Sequence, residues 1–98
     1  MTNTSGRERI LVVDDSVPTL EVLQRNLEAE HYQVYTAVSV SRAIALLDTV
    51  PVDLVITDFK MPRGNGMDLV RHVRENLRDT EIMMITGYPT IEGAVEAI

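Results

Sequence analysis

Leu54-Val55-Ile56-Thr57-Asp58-Phe59-Lys60-Met61-Pro62 reads as a strand that ends in an acid. Four residues favoured in strands lead into one carboxylate. A proline then closes the segment, because the residue before proline is held extended and the ring cannot donate to a ladder. Asp58 therefore stands where a buried strand stops, and it is the candidate reactive group.

Working outward, the same pattern recurs. Ile10-Leu11-Val12-Val13 is a continuous apolar run, as expected of a strand covered on both faces, and it ends abruptly in Asp14-Asp15. Ser16 can cap the next element and Pro18 is tolerated in a first helical turn. Val17, Leu20, Leu23 and Leu27 recur at helical spacing, which predicts a first helix to about Glu30. Gln33 to Ala37 is short and more polar, with Val34, Tyr35 and Thr36, and reads as an edge strand. A second helix follows on Val40, Ala43, Ile44 and Leu47, capped by Ser39 and followed by Pro51.

The quoted strand, extended back to Asp53, comes next. Arg63-Gly64-Asn65-Gly66 is a turn cluster, and Leu69, Val70, Val73 and Leu77 form the inner stripe of a third helix. Glu81 to Thr86 carries Ile82-Met83-Met84-Ile85, a third apolar run, with the two methionines expected as core filling. The charged residues from Arg71 to Glu81 are expected to form a solvated face. Tyr88-Pro89 breaks the chain, and Thr90, Ile91, Ala94, Val95 and Ile98 begin a fourth helix. Strands alternating with helices imply right-handed crossovers and an α/β fold, a doubly wound parallel sheet with helices on both faces. Ligands bind such sheets outside the carboxyl ends of the strands, where Asp14, Asp15, Asp58 and Thr86 all fall.

Composition narrows the chemistry. Ninety-eight residues, 45% hydrophobic and 24% charged, suit one small globular domain. A net charge of −6 argues against direct nucleic-acid or anionic-membrane binding, since there is no basic surplus to neutralise phosphates. There is no cysteine, which excludes disulfides, thiolate metal sites and a cysteine nucleophile. No basic leader precedes a long apolar run, and no apolar stretch reaches the length of a membrane span. A cytoplasmic location is the expectation, with residues 1–8 as a flexible leader and 9–98 as the domain.

Three carboxylates at one sheet edge repel unless a cation is present. Oxygen ligands without His or Cys suit magnesium. Such an ion would keep Asp58 ionised against an incoming phosphoryl group, as aspartyl-phosphate formation requires, and Thr86 could donate its hydroxyl to a phosphoryl oxygen. His31 and His72 lack an acid at catalytic spacing and are expected to be solvated.

Ile10-Leu11-Val12-Val13-Asp14-Asp15, the stretch from Leu54 to Pro62, Gly66 and Ile85-Thr86-Gly87 together resemble the receiver domain of bacterial two-component response regulators, from about Arg9 to Ile98. The resemblance implies a flavodoxin-like fold with strand order two, one, three, four, five. It implies that Asp58 accepts a phosphoryl group from a histidine kinase, that Asp15 ligates magnesium directly and Asp14 through water, and that the backbone carbonyl of Lys60 is a further ligand. Thr86 becomes the switch residue, with the amide of Gly87 beside the phosphoryl group. The stretch from Ile85 to Thr90 is similar to regulators that activate transcription, which implies an output domain.

Receivers continue to a fifth strand with a lysine and an aromatic switch residue, and four of the usual five strand-helix units are present here. A truncated domain is therefore expected, with the fourth strand an open edge and self-association through that strand and the fourth helix. The leading reading is a phosphoacceptor switch and not a turnover enzyme. Two alternatives compete with it. One is a receiver-like interaction or assembly domain without phosphorylation. The other is a phosphatase of the haloacid dehalogenase type, which calls for an Asp-x-Asp pattern where this chain has adjacent acids.

Overall fold

The structure is a computed structural model and describes residues 7–58 and 66–85. Seven elements alternate along it. They are β1 (Arg9–Val13), α1 (Val17–Ala29), β2 (Gln33–Ala37), α2 (Val40–Leu47), β3 (Leu54–Asp58), α3 (Gly66–Asn76) and β4 (Glu81–Ile85). All strand pairs are parallel and the sheet order is β2-β1-β3-β4. The unbroken apolar run of β1 is explained by its central place. Successive side chains alternate between two faces, and both faces are covered. Leu11 and Val13 join Val55 beneath α2 and α3, packed with Ala43, Leu47, Leu69 and Val73. Ile10 and Val12 turn the other way, with Leu20 buried beside them and Leu23, Leu27, Leu54 and Ile56 partly buried.

The helix starts follow the caps. Ser16 Oγ accepts the Thr19 amide at 3.3 Å and Pro18 occupies the first turn of α1. Ser39 Oγ accepts the Arg42 amide at 3.2 Å at the start of α2. α1 ends one residue before the expected Glu30, which serves as its C-cap. The turn that follows is closed by Tyr32 N–H to Leu27 O at 3.2 Å and His31 N–H to Glu28 O at 2.9 Å. His31 lies in the left-handed region at φ 71°.

Three expectations are corrected. β3 begins at Leu54; Asp53 stands just before it, its amide donating to Arg9 O at 2.9 Å while its side chain accepts the Arg9 amide at 2.8 Å in place of a backbone carbonyl. Leu77 lies just past α3, with its amide still bonded to Val73 O at 2.8 Å, and it packs on the core from outside the helix. Met83 is not core filling. It is 52% exposed, and Ile85 on the same face is 38% exposed; among the described residues β4 is the edge of the sheet, and it is Ile82 on its other face that packs against the core. Phe59 to Asn65, Thr86, Gly87 and the expected fourth helix lie outside the described residues, as does most of the expected leader.

Candidate functional site

Strand parity and register bring the acids together. Asp58 follows Leu54 and Ile56 on the α1 side of β3, and Asp14 follows Ile10 and Val12 on the same side of β1. Val13 is the register partner of Thr57, so the next residues on the two strands, Asp14 and Asp58, are neighbours. Asp14 is held from both sides. Its amide donates to Ala37 O at 3.1 Å, and its Oδ1 accepts the Ser16 amide at 2.8 Å, tying it to the start of α1. Asp15 is the next residue and is exposed, while Asp14 and Asp58 are half-buried.

Asp14, Asp15 and Asp58 each offer one carboxylate oxygen, and these oxygens lie within 4.8 Å of one another. Two full charges that close repel by about 3 kcal/mol at an effective dielectric constant of about 20. Burial holds the Asp14 carboxyl above the ordinary carboxylate range. The Ser16 amide pulls it down, and the negative charges of Asp58 and Asp15 push it further up. Asp58 Oδ1 is buried and has no hydrogen-bond partner among the described residues. A buried carboxylate oxygen without a donor is costly, and a cation seated among the three acids would satisfy it. The donor set is all oxygen, with neither His nor Cys, which fits a hard divalent ion such as magnesium.

All three acids singled out in the sequence meet in one cluster. Thr86, Gly87 and the carbonyl of Lys60 lie outside the described residues, although Asp58 is the register partner of Ile85, the residue that precedes Thr86. His31 is exposed beyond α1, and the His72 ring lies 3.4 Å from the Asn76 side-chain amide. Sequence reasoning passed over Thr57, whose hydroxyl is fully buried next to Asp58. Its only signal was one polar atom inside an apolar run.

A family model described as the response regulator receiver domain matches residues 10–98. Response regulator protein PilR of Pseudomonas aeruginosa is 34% identical over 93 residues, which cover 95% of this chain and 21% of PilR. Photosynthetic apparatus regulatory protein RegA of Cereibacter sphaeroides is 35% identical over 94 residues, covering 95% of this chain and 51% of RegA. The chain thus spans about a fifth of PilR and about half of RegA. Among solved structures, the response regulator TrrA of Thermotoga maritima in complex with Mg2+ and BeF superposes with a TM-score of 0.78 at 34% identity, covering 84% of this chain and 71% of TrrA. TrrA is also described in complex with the histidine kinase ThkA, and there it matches with a TM-score of 0.78 at 33% identity, over 86% of this chain and 72% of TrrA. The fold is the flavodoxin-like fold of those receivers.

Proposed function

The chain belongs to the response regulator receiver domain family of two-component systems, and from that premise we propose that Asp58 accepts a phosphoryl group from a sensor histidine kinase. The observation that carries this reading is the cluster itself: three strand-end carboxylates with oxygens within 4.8 Å, one of them a buried Asp58 oxygen without a donor. In the transfer, an Asp58 oxygen forms a bond to phosphorus as the phosphorus–nitrogen bond to the kinase imidazole breaks, and the imidazole departs with the bonding pair. β3 presents the acid at the sheet end, and the bonded Asp14 keeps the neighbouring carboxylate oriented. Asp14, Asp15, Asp58 and the carbonyl of Lys60 are the proposed magnesium ligands. When bound, the metal supplies positive charge that offsets the carboxylates and the phosphoryl oxygens. Thr86 is the proposed switch hydroxyl and the Gly87 amide a further donor to the phosphoryl group.

In this reading residues 9–98 are the receiver, a switch for an output domain or partner in a regulator that controls transcription. The TrrA complexes with a kinase and with magnesium support the partner and the ion by similarity. A cytoplasmic location is part of this proposal; no helix among the described residues is long and apolar enough to cross a membrane. A second reading, an assembly domain that does not phosphorylate, is favoured by one observation, the exposed Met83 and Ile85 on edge strand β4. Acetyl phosphate with MgCl2, followed by intact mass, separates them. A mass gain of one phosphoryl group that is abolished in Asp58→Asn is the expected result. An unmodified chain favours the assembly reading, and continuous phosphate release would indicate a phosphatase.

A further inference from the structure

Thr57 is the single buried polar residue among the described residues, with 0% of its surface exposed. It follows Val55 on the side of β3 facing α2 and α3, and its register partners are Val13 and Met84. Valine has the same branching at Cβ and would fill this place without a polar atom. Shape therefore does not account for the hydroxyl, whereas its bond does. Oγ1 donates to the backbone carbonyl of Asp58 at 3.1 Å. The ring closed by this bond runs through the N, Cα and C atoms of Asp58. Both backbone torsions of the acid lie inside the ring, so the bond fixes the direction of its Cα–Cβ bond.

We infer that Thr57 is a positioning residue for the acid cluster, holding the Asp58 backbone in the orientation that carries its carboxylate to Asp14 and Asp15. This role rests on the reading of the three acids as a magnesium-dependent phosphoacceptor site. It adds a residue that touches neither the ion nor the phosphoryl group.

The test is an MgCl2 titration followed by the amide NMR shifts of Asp14 and Asp15, together with metal-free thermal melting, for the parent chain, Thr57→Val, Thr57→Ser and Asp58→Asn. Thr57→Val is expected to melt at or above the parent temperature, since it only removes a buried hydroxyl, yet to bind magnesium three- to tenfold more weakly. Thr57→Ser loses a buried methyl and is expected to melt lower while keeping magnesium affinity within twofold of the parent. A purely structural role cannot produce this opposed pair. Parent-like affinity in Thr57→Val, or affinity losses in both variants that track their melting temperatures, would overturn the positioning role while leaving the metal reading intact. If the parent and Asp58→Asn respond to MgCl2 alike, the metal reading fails and this role falls with it.

Discussion

Replacing Asp14 by asparagine keeps its shape and its acceptor for the Ser16 amide, and removes a charge that burial and two neighbouring carboxylates disfavour. The folded-state pKa of Asp14 lies above its ordinary 3.8, so the native chain holds this proton more tightly than the unfolded chain. The group's contribution to stability is then most favourable in acid and is lost as pH rises through that window. In metal-free buffer at pH 7, Asp14→Asn is expected to melt about 2–5 °C higher than the parent. The difference should vanish below the ordinary carboxylate range, where the parent residue is protonated in both states. Melting followed by circular dichroism from pH 3 to 7, with and without MgCl2, checks both the sign and a loss of stabilisation by magnesium. Asp14, Asp15 and Asp58 were legible in the sequence because an acid closing an apolar run is conspicuous. Thr57 was not, because threonine is an ordinary strand residue and only its hydrogen bond reveals a use for the hydroxyl.

At the level of elements, caps and periodicity reported the three described helices well. Ser16 and Ser39 both cap where their side chains suggested, and β2 runs over the expected Gln33–Ala37. The turn after α1 was hidden, since no glycine marks it. His31 occupies the left-handed position that glycine takes at many helix ends, and Tyr32 closes the turn back to Leu27. His31→Gly is expected to stabilise the chain by about 0.5–1 kcal/mol by removing the Cβ penalty. A higher midpoint in urea unfolding at unchanged slope would show it, and a lower midpoint would mean that the side chain contributes more than its strain. The start of β3 and the end of α3 each differ by one residue, with Asp53 just before the strand and Leu77 just past the helix. Periodicity does not register such effects.

Across the whole molecule, strand order decides what composition cannot. Met83 lies in an apolar run, yet it is exposed on β4, which is the edge of the sheet among the described residues. Such an edge, with two large apolar side chains exposed beside it, is a template for pairing. Light scattering is expected to show mass rising with protein concentration, and Met83→Lys to suppress the rise. A constant monomer mass would remove the case for self-association.

The same strand order has a consequence in time. β1 and β2 flank a single helix and can pair early, whereas Asp58 reaches Asp14 only when β3 docks on the other side of β1. Contacts that close longer loops form later, so the repulsion among the acids opposes a late docking step. A cation that relieves it acts after most of the barrier has been crossed. Magnesium should therefore slow unfolding several-fold while leaving refolding nearly unchanged, and stopped-flow kinetics in urea with and without MgCl2 would read that asymmetry directly.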